Sequence, residues 1–251
     1  MTTLDFSGKR LWVTGAGRGI GLRIAQQLHE LGADVVGLDR QFDQAEYPFR
    51  TTLLDISDHQ QVQDVCRKLL DEQPHLDGLI NAAGALRLGN SDALSLDDWH
   101  TCMDVNVSGA FYLFRQLVPL WKRQRSGVVV SVASNAAHVP RMGMAAYCAS
   151  KAALVSLSHC VGLELAPYGV RCNLVSPGST DTDMLRQLWK TPEDAQRTID
   201  GSMDQYKLGI PLGKLATVDE IANAVVFLAS DLASHITMQD LVVDGGATLA
   251  A

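Results

Sequence analysis

The sequence predicts an α/β fold in which a parallel sheet of about seven strands is covered by helices on both faces. Three observations carry this. Short apolar runs alternate with amphipathic stretches along the whole chain, the pattern of strand–helix–strand units. The first apolar run, Arg10 to Thr14, ends in a glycine cluster and leads straight into a helix-period stretch. Later runs end in polar or glycine-bearing turns, at Asp39, Asp55, Asn81–Gly84, Pro177–Gly178 and Asp244–Gly246.

The elements follow in order. Gly19 to Leu31 places Ile20, Ile24, Leu28 and Leu31 on one helical face, and Gly32 ends it. Asp34 to Leu38 reads as a second strand, and Thr51 to Leu54 as a third. Asp58 to Leu70 repeats the helical period through Val62, Val65, Cys66, Leu69 and Leu70. Leu79 and Ile80 mark a fourth strand. A long helical region runs from Leu96 to Arg123, with Ser95 as its cap and Asp98 at the capping-box position. Gly127 to Val132 is the fifth strand, Ala145 to Ala166 a helix, and Val170 to Val175 the sixth strand. Asp219 to Leu228 is a further helix, and Leu241 to Val243 the last strand. No linker, repeat or low-complexity tract divides residues 1–251, so one domain is expected. The polar, irregular stretch at about 179–212 is too long for a plain connection and is expected to form a lid over a site.

Composition narrows the function. The 251 residues are 47% hydrophobic, enough for one sizeable core, and carry a net charge of −7 with no long basic run. Nucleic-acid binding is not expected. No apolar run is long enough to span a bilayer, and the polar start MTTLDFSGKR does not read as a signal peptide. Five cysteines, widely spaced and without a Cys-x-x-Cys pair, point to free thiols in the cytoplasm and to no metal site. Cys148 reads as a small packed residue rather than a nucleophile.

The glycine turn TGAGRGIG, with Gly15, Gly17, Gly19 and Gly21, lets backbone approach a pyrophosphate at a helix N-terminus. Asp39, at the end of the next strand, can accept from ribose hydroxyls and repels a 2′-phosphate, which favours NAD. Arg18 and Arg40 could instead attract that phosphate. Asp55 is positioned to meet the adenine edge, and Asn81 to Gly84 lets the chain run close to the ribose. Farther on, Tyr147 and Lys151 lie four apart, on one helix face. A lysine cation there is expected to lower the tyrosine pKa. Ser134 ends the apolar run GVVVSVAS, at the carboxyl end of the fifth strand, and can face the tyrosine, giving a site for moving a proton on or off an alcohol oxygen.

With these residues in place, the chain resembles the short-chain dehydrogenases/reductases over essentially its whole length. TGAGRGIG, NAAG at Asn81, Asn106, Ser134, YCASK at Tyr147 and PGSTDT at Pro177 carry the resemblance. It implies a Rossmann-like fold, Tyr147 as general acid/base, Lys151 on the nicotinamide ribose, Ser134 on the substrate oxygen, and Asn106 in a water-linked proton relay. Asn106 could equally be a buried helix residue that bonds backbone. The implied cofactor contacts are Gly15, Arg18, Gly19, Ile20, Gly21, Asp39, Asp55, Ile56, Asn81, Ala82, Gly84, Tyr147, Lys151, Pro177, Gly178 and Thr180. The segments FDQAEYPF, AAHVPRMGMAAY, SPGSTDTDM and KLGIPLGK narrow the resemblance to members that oxidise a small cyclic hydroxy acid. Such a carboxylate substrate calls for a pocket cation, for which Arg141 is the candidate against the alternative of a loop arginine. His138 is a second contact candidate, and Met184 an apolar wall. The resemblance further implies a homotetramer built through the two long helices, with transient contacts to other enzymes of the same pathway. Two competing readings are a carbonyl-reducing member such as a 3-oxoacyl reductase, and a catalytically silent NAD-binding scaffold.

Overall fold

The computed structural model describes residues 4–189, 191 and 193–249. Seven strands form its centre: β1 (Arg10–Thr14), β2 (Asp34–Asp39), β3 (Arg50–Leu53), β4 (Gly78–Asn81), β5 (Gly127–Val132), β6 (Val170–Pro177) and β9 (Asp240–Val243). They pair in parallel in the order β3-β2-β1-β4-β5-β6-β9. The order reverses direction at β1 and β4, and a ligand crevice opens outside the carboxyl ends of the strands at such a point.

Side-chain alternation along the strands supplies both faces of the core. Leu11 and Val13 of β1, with Val128, Val130 and Val132 of β5, join one buried cluster. Trp12 and Val129 point the other way and join a second. The first cluster is closed by α1 (Gly19–Glu30) and α8 (Val218–Ala229), through Ile24, Leu28, Val225 and Val226. The second is closed by α2 (His59–Glu72), α4 (Gly109–Gln124) and α5 (Ala145–Leu165), through Val62, Leu113, Leu117 and Leu154. Near-continuous apolar strands are what burial on both faces requires.

The long helical region is not uniform. α3 (Leu96–Met103) and α4 are joined by one π-helical turn over Asp104–Ser108. Asn106 lies in that turn, which a single helical region from Leu96 to Arg123 did not anticipate. Ser95 caps α3 as expected, accepting from the Asp98 N–H at 3.0 Å. Thr217 and Glu220 form a full capping box at the start of α8.

The stretch after β6 is more ordered than its sequence implies. It holds α6 (Asp183–Arg186), α7 (Glu193–Asp200) and a small antiparallel hairpin of β7 (Gly201–Ser202) and β8 (Lys207–Leu208). Positions 190 and 192 of the expected lid lie outside the described residues. Among the described residues no helix is long and apolar enough to cross a membrane.

Candidate active site

The carboxyl ends of β1, β2, β4, β5 and β6 bring the expected residues to one edge of the sheet. The glycine turn between β1 and α1 is closely packed. A Cβ on Gly15, whose φ is +69°, would lie 2.8 Å from the Ala83 nitrogen, and one on Gly21 would lie 2.2 Å from the Gly15 oxygen. Only glycine fits either place. Thr14 ties this turn to the end of β4. Its hydroxyl donates to Asn81 Oδ1 at 3.1 Å and accepts from the Ala82 and Ala83 N–H groups, both at 3.1 Å.

Asp39 closes the outer side of the turn. Its carboxylate accepts from the Gly17 N–H at 2.9 Å and from the Gln41 N–H at 3.2 Å. Tyr47, which the sequence reading passed over, binds the same turn: its hydroxyl donates to Gly17 O at 3.2 Å and accepts from Asp43 and Gln44. Phe42 packs edge-on against Tyr47, with ring centroids 5.1 Å apart. The aromatic spacing Phe42, Tyr47, Phe49 was the available signal. Arg18 and Arg40 are exposed beside this wall. Asp55 is held by Ser57, accepting from its N–H at 2.9 Å and its hydroxyl at 2.6 Å. Ile56 is buried against Gly109 of α4, so only its backbone can face a nucleotide. Ile20 at the start of α1 is partly buried. Pro177 ends β6, Gly178 packs on Asp244, and the Thr180 hydroxyl donates to Gly178 O at 3.2 Å.

On the other side of the crevice, Ser134, Tyr147 and Lys151 converge. Tyr147 and Ser134 share a side-chain hydrogen bond, and Ser134 also accepts from the Ala136 N–H at 3.2 Å. Lys151 Nζ lies 5.8 Å from the centre of the Tyr147 ring and donates to Val132 O at 2.9 Å. Asn106 is almost wholly buried, and its amide is fully engaged. It donates to Ala85 O and to Ser150 Oγ, both at 2.9 Å, and accepts from the Ala85 N–H at 2.8 Å. Asn106 Oδ1 and Lys151 Nζ both lie 3.4 Å from where a Gly84 Cβ would be, so a side chain at 84 would crowd both.

Burial dominates the electrostatics of Tyr147 and Lys151. Burial pushes the phenol up to about 12, and the Ser134 hydrogen bond offsets only part of that rise. Tyr147 keeps some accessible surface, so the rise reflects dense packing around the phenol oxygen. Burial also draws the Lys151 ammonium down to about 8, and its head is turned to a carbonyl rather than to the phenol.

His138 Nε2 pairs with Asp240 Oδ2 at 2.9 Å and lies 3.4 Å from the Ser176 hydroxyl, so this nitrogen ties the Ser134 loop to β9. Arg141 is half-buried beside Cys148, the residue after Tyr147, and its side chain has no hydrogen-bond or ion-pair partner among the described residues. Met184 is exposed on α6 and Met142 on the Arg141 loop. An open apolar cavity of about 400 Å³ lies beside the hairpin, lined by residues including Ile199, Leu208, Ile210 and Leu249. None of Ser134, Tyr147 and Lys151 reaches it, and it gathers no polar groups suited to this chemistry.

A dinucleotide fits the residues present. The glycine turn leaves no room for side chains between backbone and a pyrophosphate, and α1 offers its N-terminal N–H groups. Lys151 Nζ donates one N–H to Val132 O and has no other hydrogen-bond partner among the described residues, which leaves donors for ribose hydroxyls.

Comparison with known proteins agrees with this geometry. The family model described as enoyl-(acyl carrier protein) reductase matches residues 15–248. The chain is 59% identical over 248 residues to 2,3-dihydro-2,3-dihydroxybenzoate dehydrogenase of Escherichia coli, covering 99% of this chain and 100% of that one. It is 42% identical over 259 residues to the Bacillus subtilis enzyme of the same name, covering 99% of each. Among solved structures, a 7α-hydroxysteroid dehydrogenase complexed with NADH superimposes with a TM-score of 0.88 at 29% identity, covering 98% of each chain. By its motifs, its sheet and these relatives, the chain belongs to the short-chain dehydrogenase/reductase family.

Proposed function

We propose that this protein is a cytoplasmic enzyme that oxidises 2,3-dihydro-2,3-dihydroxybenzoate to 2,3-dihydroxybenzoate with NAD, a step in the supply of catechol siderophores. The observation that carries the substrate assignment is the 59% identity, end to end, with the E. coli enzyme of that name. Asp39 at the end of β2 supports NAD over NADP.

In this reading Ser134 holds the C3 hydroxyl and Tyr147 accepts its proton. The C3–H bond breaks, its electron pair leaves as hydride, and a carbonyl forms at C3; tautomerisation then gives the aromatic ring and draws the oxidation forward. When bound, the nicotinamide supplies the hydride acceptor and adds a positive charge beside the phenol. Burial favours the neutral phenol, so Tyr147 has to lose its own proton before it can act as base. Lys151 orients the ribose, and Asn106 holds the Ala85 turn and α5 in register around it. Arg141 is the candidate for the substrate carboxylate. The stretch at about 179–212 serves as the lid, and the long helices α4 and α5 as a tetramer interface; contacts with other siderophore-pathway enzymes would be transient.

Absorbance of NADH formed from the dihydrodiol acid, with NAD and NADP compared, tests this reading. Turnover with NAD and accumulation of 2,3-dihydroxybenzoate are expected. No turnover of that acid, alongside reduction of 3-oxoacyl thioesters, would assign the chain to a carbonyl-reducing branch of the family.

A further inference from the structure

Ser134 does not stand alone at the end of β5. It caps one 3₁₀ turn, Asn135–Ala137, in which the Ala137 N–H donates to Ser134 O at 2.9 Å and the His138 N–H to Asn135 O at 3.1 Å. A single turn of this kind is weak on its own. The Ser134 hydroxyl accepts from the Ala136 N–H inside the turn, so its direction follows that of the turn. The turn packs against α5, the helix that carries Tyr147.

Two acids at the ends of β9 hold this turn from outside. At its far end His138 meets Asp240, the first residue of β9. At its near end the Asn135 amide donates to Asp244 Oδ2 at 3.2 Å, across 109 positions of sequence. Asn135 and Asp244 are 8% and 9% exposed, so water competes little for this bond. Asp244 is itself fixed. Its Oδ1 accepts from the Gly246 N–H at 2.9 Å, and the Thr248 hydroxyl donates to Oδ2 at 2.7 Å. The chain leaving β6 passes directly beside it. The Gly178 N–H donates to Val243 O at 2.9 Å, and a Cβ on Gly178 would lie 2.5 Å from the Asp244 Cβ. Because β6 lies between β5 and β9, the Asn135–Asp244 bond spans the end of β6 and ties the loops after all three strands together.

We propose that Asp244 is a positioning residue for the reaction centre: through Asn135 it sets the direction of the Ser134 hydroxyl, and so the geometry in which Ser134 and Tyr147 meet the substrate oxygen. The inference rests on the reading that Ser134 and Tyr147 serve the proton transfer. Asp244 acts only through Asn135 and carries no proton itself. The Ser134 hydrogen bond favours the Tyr147 phenolate, so a loosened turn raises the pH at which the base forms. Loss of the Asp244 charge by itself has the opposite sign, since removing an anion favours a phenolate. The titratable groups that face Tyr147 are Lys151 and Cys148 on its own helix and Cys102 on α3. None of the three hydrogen-bonds to Asn135 or Asp244 among the described residues.

Turnover against pH, read beside an NMR signal of Tyr147, tests the inference. Asn135→Ala, which changes no charge, should lower kcat roughly ten-fold, move its inflection up by about half a unit or more, and leave the KM for NAD within about two-fold. Asp244→Ala should do the same, and the double variant should do no more than either single one, because one bond is shared. Asp244→Asn should keep most of the wild-type behaviour, since its amide can bridge to Asn135 once Asn135 presents its oxygen. Thr248→Val loosens only the tail and should lower the melting temperature without moving the inflection. An unmoved or lowered inflection in Asn135→Ala, additive effects in the double variant, or an equal rise in Thr248→Val would overturn the proposal. In the NAD-free protein, the signal of the labelled hydroxyl-bearing ring carbon of Tyr147, assigned with Tyr147→Phe, should shift in Asn135→Ala and Asp244→Ala and stay in place in Thr248→Val. That readout needs no substrate. Its shift without turnover of the dihydrodiol acid would refute the proposed reaction and leave the positioning of Ser134 standing.

Discussion

The two sides of the crevice are finished to different degrees. On the nucleotide side nearly every polar group is already committed. Thr14 clasps Asn81 and the Ala82–Ala83 backbone, Asp39 and Tyr47 hold Gly17, and Ser57 holds Asp55. On the substrate side the Arg141 side chain has no hydrogen-bond or ion-pair partner among the described residues, and Met142 and Met184 are exposed. The contrast has a physical reason. A pyrophosphate is read largely by backbone, which the fold can set in advance. A ring acid is read by side chains and by apolar cover, whose burial is favourable only once a ligand supplies the other surface. The first side is thus pre-organised, and the second is completed by what it binds.

The largest expected break in this picture is at the reaction centre itself. Tyr147→Phe removes the proton acceptor and keeps the ring, so turnover should fall by at least about 10²-fold while NAD affinity changes little. Stopped-flow turnover and NAD titration of the same variant check both halves. Turnover within a few-fold of wild type would move the base elsewhere.

Asp39→Ala attacks the finished side. It removes a carboxylate that both repels a 2′-phosphate and holds the Gly17 N–H. Preference should shift toward NADP, with Arg18 and Arg40 exposed nearby, and the melting temperature should fall by roughly 2–6 °C. A cofactor shift without loss of stability would show that the Gly17 bond contributes nothing, and an unmoved preference would remove Asp39 from cofactor choice.

A smaller effect sharpens the role of Lys151. Burial draws its ammonium down to about 8, so the folded protein sheds this proton before the unfolded chain does. Between about 8 and the ordinary lysine value of about 10.4, the unfolded state binds more protons and stability rises with pH. That stability is lost as pH falls through the folded value. Lys151→Met should flatten this rise in urea unfolding of the NAD-free protein. An equal slope in both proteins would mean that the buried ammonium is not the group responsible.

Much of the fold was legible because its signals are local. Strand alternation, helical period and the caps at Asp58 and Ser95 are each set within a few residues. The glycine turn and Tyr147–Lys151 were legible for the same reason, since each motif is short and its spacing imposes the geometry. What was not legible depends on pairings far apart in the chain. His138 is taken by Asp240, 102 residues away, and nothing near His138 announces it. The π turn that carries Asn106 answers to Ala85 and Ser150 on other elements.

Hydrogen exchange of the NAD-free protein tests the difference between the two sides most directly. Amides of β1, the glycine turn and the first turns of α1 should be protected, and those from Asp183 to Leu208 should exchange fast. Adding NAD with 2,3-dihydroxybenzoate should slow the second segment strongly and the first only slightly. Equal protection of both segments before ligand, or slowing confined to the glycine turn, would contradict a substrate side that its ligand completes.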